Sequence, residues 1–295
     1  MHEFLSNHKS YLKNIRAYIA RLPSLSTTAA KVLETCNNPA SSPNDLNRVI
    51  SLDPVLTGQV LRLTNSAYYS LRHPVSSLTR AIIMLGINTV KILVLSFAIL
   101  ERLCNKQSFR ALSAKKFWAH SLGVGVIAKC IARVKGVSLT DQEEFFVCGL
   151  LHDLGKIPLN HQFPDEYFQT LDMAKRSHWP LTHAESVVFG IDHGTIGGLI
   201  AEKWRLSPAF IGALRCHHQP DESLPEHQQL VFIVALADIF SQRLDIGLCE
   251  ATPTGAAFAE YLLERVGVDW PTLYDMRETV FAEIDKAKIF LEISE

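Results

Sequence analysis

The chain has 295 residues, 47% of them hydrophobic and 20% charged, with a formal net charge of −1. A chain of this size and balance buries a large core without disulfide staples, and with no basic excess an electrostatic nucleic-acid footprint is not expected. The six cysteines form no CxxC pair and the N-terminal segment MHEFLSNHKSYLKNIRAYIARL lacks the apolar run of a signal peptide, so reduced thiols and a cytoplasmic location are expected. The most apolar stretch, Ile92–Leu100, is bracketed by Lys91 and Glu101 and falls far short of the ~20 residues of a membrane span, so no membrane role is expected.

Taken in chain order, nearly every segment reads at helical period. Ala29, Val32, Leu33 and Cys36 fall at i, i+3, i+4 and i+7. Ser42-Pro43 and Asp53-Pro54 each pair a capping residue with proline in the first helical position. Leu78, Ala81, Ile82 and Leu85, then Val90, Leu93, Val94 and Phe97, make two further stripes. A compact bundle of helices is therefore predicted over the first hundred residues. The polar run ERLCNKQSFRALSA at 101–114 reads as a join, which divides the chain into 1–108 and 109–295. Beyond it the pattern predicts a helix over about Lys115–Val134 and a second one opened by a Thr140/Glu143 capping box. Thr182 and Glu185 match another capping box, Ser207-Pro208 opens a further helix, and Glu226–Arg243 is apolar at helical period. The tail from Trp270 reads as one long amphipathic helix. The predicted class is all-α, an N-terminal helical bundle packed against a C-terminal one.

The informative residues are polar ones on apolar faces. His120 shares a stripe with Val124, Ile127 and Ile131, and His152 shares one with Phe145, Cys148 and Gly149. His193 goes with Ile196, Gly197, Ile200 and Trp204, His218 with Ile211, Leu214 and Arg215, and Asp238 with Val231, Val234 and Ala235. A lone histidine in such a place is more often a hydrogen-bonded core residue, and Asp153 alone fits a solvent-facing helix end. Five helices doing this together points to one shared site. A buried carboxylate must be paired or neutralised, and a metal ion provides the pairing. His152–Asp153 at a helix end can aim two neighbouring side chains at one ion, with the aspartate bridging to a second. Imidazole and carboxylate without thiolate suit Fe or Mn, and also Zn, Co or Ni. Cys216 points about 100° away from His217 around the helix, which argues against it as a ligand. Lys156, in HDLGK, is placed either to meet a phosphate oxygen or to sit solvated after a helix end. His161 and His183 read as structural or surface residues.

The segments LPSLSTTAAKVLETCNNP, VISLDPVLTGQVLRLTNSAYYS and PVSSLTRAIIMLGINTVKILVLSFAI resemble the HDOD (HD-related output domain) family, over about residues 20–215. That resemblance implies a helical output module of bacterial signal transduction, acting through partner proteins. WAHS, GLLHDLGK, DHGTIGG, CHH and ALAD are in addition similar to the ligand set of HD phosphohydrolases, in particular the HD-GYP branch. The similarity implies one ion on His120, His152, Asp153 and Asp238, with Asp153 bridging to a second on His193, His217 and His218. It implies Lys156 on a substrate phosphate, and Asp153 and Lys156 as the catalytic pair if the site is active. The HHE and GYP elements of that branch are missing, since the chain runs HHQPDESLPEHQQ there, and Lys116 stands where an acidic ligand can precede His120. The expected function is thus an HDOD signalling module with a binuclear metal site. The alternative is a metal-dependent phosphohydrolase or phosphodiesterase acting on a nucleotide or cyclic dinucleotide, with a phosphoester or nucleotide as the expected ligand.

Overall fold

The computed structural model describes residues 2–38, 40–103, 109–247 and 255–293, and every regular element among them is helical. The first six helices are α1 (His2–Arg21), α2 (Thr27–Asn37), α3 (Pro43–Ile50), α4 (Pro54–Thr64), α5 (Leu78–Leu85) and α6 (Ile87–Leu103). The next seven are α7 (Ala114–Val134), α8 (Gln142–Leu151), α9 (Lys156–Gln162), α10 (Pro164–Ser177), α11 (Leu181–Phe189), α12 (His193–Lys203) and α13 (Pro208–Cys216). After two 3₁₀ turns at Pro220–Glu222 and Pro225–His227 come α14 (Gln228–Arg243), α15 (Ala256–Val266), α16 (Trp270–Asp275), α17 (Arg277–Ala287) and α18 (Ile289–Ile293). Part of the join expected at 101–114, residues 104–108, lies outside the described residues.

The capping signals explain most helix starts. Ser42 and Asp45 form a reciprocal capping box with Pro43 in the first turn, and Asp53 accepts a hydrogen bond from the Leu56 amide. Ser26, Ser77, Ser113, Asp192 and Asp269 each accept from an amide three residues on. Two expected boxes are not formed. Asp141 and Pro180, rather than Thr140 and Thr182, occupy the N-cap positions of α8 and α11, and neither makes a side-chain cap bond. The acids of those boxes are buried instead: Glu143 meets Tyr68 and Lys129, and Glu185 meets Tyr167 and His193. The tail beyond Trp270 is three short helices rather than one, the first capped by Asp269.

Helices α7 and α14 form the centre, with α8 laid along α7. The contact of α7 and α8 is close because glycines face each other: a Cβ on Gly149 would lie 2.8 Å from the Gly125 Cα. By length and composition α7 is able to cross a membrane, but its apolar window is 78% buried within the fold, as in a core helix. The two ends of the chain are anchored at a distance. Helix α1 packs on α9, α11 and α12, with Tyr11 edge-on to Phe163 and Phe189. Helix α18 packs on α4 and α6, where Phe290 meets Tyr68 and Phe97. Cys36, Cys130, Cys148 and Cys216 are free thiols, and Cys104 and Cys249 lie outside the described residues.

Candidate metal centre

Each helix around the centre contributes its polar residue from a position fixed by the local fold. His120 lies in the first half of α7 and Asp238 in the middle of α14. His152 and His217 are the C-caps of α8 and α13, so His218 follows at the turn. His193 is the first residue of α12, behind the capping Asp192. Asp153 sits between α8 and α9. The turn that holds it is pressed onto α12, since a Cβ on Gly155 would lie 1.8 Å from the His193 carbonyl oxygen. His120, His152, Asp153, His193, His217 and Asp238 are all buried.

Asp153 is the hub. Its Oδ2 lies 3.7 Å from His120 Nε2, 3.4 Å from His152 Nε2 and 2.7 Å from Lys156 Nζ. Its Oδ1 lies 3.3 Å from His193 Nε2 and 3.8 Å from His217 Nε2. Asp238 Oδ1 is 3.1 Å from His120 Nε2 and 4.0 Å from His152 Nε2. His193 Nε2 and His218 Nε2 are 2.9 Å apart. The ligand atoms of His120, His152 and Asp153 thus lie within 4.8 Å of one another, and so do those of His193, His217 and His218. The structure brings together all seven residues singled out in the sequence, and Lys156 with them.

The far nitrogens of the rings explain why the near ones converge. His152 Nδ1 donates to the Gly149 carbonyl at 2.7 Å, and His217 Nδ1 to the Ala213 carbonyl at 3.1 Å. His193 Nδ1 donates to Glu185 at 2.6 Å, and His120 Nδ1 lies 3.3 Å from the Ser241 hydroxyl. A ring that donates from Nδ1 and is neutral presents a bare lone pair at Nε2. The Nε2 atoms of His152 and His217 are buried and have no hydrogen-bond partner among the described residues. Buried acceptors are rarely left so, and a cation is the partner that lone pairs and carboxylates would share. The residues present therefore fit a metal.

The electrostatics agree. Burial, followed by the neighbouring His193, lowers the His218 pKa to about 3, and burial with His218 holds His217 well below the ordinary range. Both are neutral, as ligands must be. Burial opposes ionisation of Asp153 and Asp238, but their imidazole and ammonium neighbours outweigh it. His152 and Lys156 hold Asp153 well below the carboxylate range, and the His120 hydrogen bond does the same for Asp238. Burial pushes His152 down, yet the Asp153 carboxylate leaves its pKa raised on balance. Burial raises the Cys216 thiol, which keeps it protonated. Lys116 is exposed, while His161 pairs with Gln162 and His183 lies against Trp179, both apart from the hub.

Sequence reasoning missed the supporting residues. Glu185, fully buried on α11, accepts from both the His193 amide and Nδ1 and from the Tyr167 hydroxyl. Gln242, one turn after Asp238, donates to its Oδ1 at 3.0 Å. The signal for Glu185 was present. It lies on a stripe with Leu181, Ala184 and Val188, by the same criterion that marks Asp238.

The HDOD domain model matches residues 22–220. Among solved structures, an HDOD domain protein of unknown function from Geobacter sulfurreducens is 24% identical, with a TM-score of 0.74 over 96% of this chain and 98% of its own. A Shewanella amazonensis protein, provisionally named a phosphohydrolase, is also 24% identical, with a TM-score of 0.71 over 96% and 98%. Ribonuclease Y of Mycoplasma mycoides is 28% identical over 158 residues, 53% of this chain and 30% of that protein. The chain spans less than half the length of the curated relatives it matches. With about two thirds of its length under the family model and its whole helical architecture shared with solved members, this chain belongs to the HDOD domain family.

Proposed function

We propose that the chain is a signalling module of the HDOD type built on a binuclear transition-metal centre. His120, His152, Asp153 and Asp238 would hold one ion and His193, His217 and His218 the other, with Asp153 shared. The observation that carries this reading is the division of Asp153, whose Oδ2 faces His120 and His152 while Oδ1 faces His193 and His217. The imidazole and carboxylate donors favour Fe or Mn, with Zn, Co and Ni using the same atoms. In this reading the helices around the centre pass its state to partner proteins.

A second reading, hydrolysis of a phosphoester, is favoured by Lys156. Its ammonium lies 2.7 Å from the shared carboxylate, where it would bind a phosphate oxygen. Resident ions of this kind supply Lewis acidity, polarising a phosphoryl oxygen and acidifying water. The likeness to a ribonuclease over 158 residues, and to a provisionally named phosphohydrolase in fold, gives this reading its substrate class.

Elemental analysis of the purified chain, before and after reconstitution with Fe or Mn, tests both. Metal should be present in the wild type and absent from a folded Asp153→Ala. Only a trace after reconstitution would sink the centre. Metal-dependent turnover of bis-p-nitrophenyl phosphate or a nucleotide panel, lost in Asp153→Ala, selects hydrolysis. Silence with metal bound removes it and leaves the signalling reading.

A further inference from the structure

A cleft of about 450 Å³ lies away from the hub, where α2 and α6 face the first turns of α8 and α13. Its size is that of a small-molecule site. Leu33, Leu95 and Phe210 make apolar wall, and its charges come in two pairs: Lys91 with Arg205, and Asp141 with Glu144. Burial pushes the Glu144 carboxyl up, and Lys91 pulls it back. Arg205 is exposed and closes α12 in the left-handed region, at φ 54°, where glycine is cheapest. A second groove of about 810 Å³ shares Leu33 and Arg205 and continues toward Trp204.

The lining sets cationic and acidic groups in one cleft and suits a ligand that carries both an anion and N–H donors. Guanidinium and ammonium groups take phosphate, and the N-terminal turn of α13 adds its positive dipole end. Carboxylates accept adjacent N–H donors of the kind a purine base presents. The apolar wall suits a flat base.

The position of the cleft is as informative as its lining. Helix α8 begins in it, with Asp141 as N-cap, and ends with His152 as C-cap. Helix α13 begins in it, with Ser207 as N-cap, and ends with His217 as C-cap. The two helices pack on one another and are roughly 15 Å long at 1.5 Å per residue. The two helices thus join the lining of the cleft to two histidines at their far ends.

We propose that this cleft is an effector site for a nucleoside phosphate, its phosphate held by Lys91 and Arg205 and its base edge by Glu144 and Asp141. Occupancy is passed along α8 and α13 to the metal centre, a step that rests on the metal reading above.

Calorimetric titration of the 295-residue chain with GMP tests the site. The wild type should bind, while Lys91→Ala and Arg205→Gly each weaken binding at least tenfold. Glycine suits the backbone at 205, so that variant should stay folded. With chelator present throughout, Asp153→Ala should bind as the metal-free wild type does, and inorganic phosphate should bind far more weakly than GMP. No binding by the wild type overturns the site, as does loss in Asp153→Ala or indifference to both cleft variants. Phosphate binding as tightly as GMP overturns the base contacts. For the relay, saturating GMP should shift Mn²⁺ affinity at least fivefold in the wild type, and Arg205→Gly should need at least ten times more GMP to show that shift, by reciprocal linkage. An unchanged Mn²⁺ affinity with GMP bound overturns the relay alone. A chain that takes up no Mn²⁺ overturns the metal reading and the relay together, with the cleft judged on GMP binding.

Discussion

Glu185 accepts a hydrogen bond from His193 Nδ1 at 2.6 Å and so turns the opposite ring nitrogen toward Asp153, 3.3 Å away. The same carboxylate is fixed by the Tyr167 hydroxyl at 2.9 Å. Outer partners of this kind set the tautomer and basicity of a ligand, and losing one typically costs about 10–100-fold in metal affinity. Glu185→Gln should weaken metal binding by that factor, read by competition with a chromophoric chelator. Full affinity in the variant would remove Glu185 from the centre.

Metal should also be a folding ligand. Free metal at a hundred times its dissociation constant stabilises the native state by about 2.7 kcal/mol. Adding Mn²⁺ to chelator-treated protein should raise the thermal midpoint by several degrees, and Asp153→Ala should not respond. An equal rise in both would assign the effect to unspecific ions.

The metal-free protein should lose stability on acidification. The folded pKa of His218 is about 3, below its ordinary 6.5, so between those values the unfolded chain takes up a proton that the folded one refuses. Stability therefore falls as pH drops through that window, and His217 acts in the same direction. His152, with its raised pKa, opposes them, losing its contribution as pH rises. Two lowered groups against one raised group predict a falling thermal midpoint from pH 7 to pH 5 in chelator. His218→Asn should flatten that slope, and an unaltered slope would count against the assignment.

A second buried network ties α7 and α8 to the segment after α4. Glu143 on α8 takes hydrogen bonds from Tyr68, beyond α4, and from Lys129 on α7. Removing one partner of a buried pair strands the other charge, at a cost of about 3–5 kcal/mol. Glu143→Ala should lose that much stability in urea unfolding with metal content unchanged. A loss under ~1 kcal/mol would mean that Lys129 escapes to solvent.

Gly155→Ala should be among the most damaging small substitutions, because its methyl would fall 1.8 Å from the His193 carbonyl oxygen. The turn bearing Asp153 must then lift off α12. The expected outcome is a loss of about 4 kcal/mol or more together with metal binding, whereas Gly136→Ala, beside open space but in the left-handed region, should lose less stability and keep its metal.

What was legible in the sequence follows from periodicity. His120, His193 and Asp238 interrupt apolar stripes, and a 3.6-residue repeat is enough to say that they face inward. His217 stands off the stripe of His218, and only the turn after α13 shows how both reach one place. Glu143 and Glu185 were misread because an acid three residues after a threonine is also a capping pattern. Tertiary burial decided against the local bond, since each acid has a better partner from another helix. The long helix expected after Trp270 is broken because Met276 and Lys288 serve as caps, a choice made by packing on α7 and α6 rather than by any glycine or proline.

The anchoring of α1 on α9, α11 and α12, and of α18 on α4 and α6, makes the chain a clasp. Each terminus closes over the portion of the molecule built from the opposite end of the sequence. A cut near residue 108 would not yield two tidy pieces, because each fragment would carry a helix whose seat is on the other and a bare seat of its own. Whatever moves with a change at the centre must either keep both fastenings shut or undo one of them. The hinge of such a motion is thus to be sought within the helices between the fastenings, not at the chain's ends.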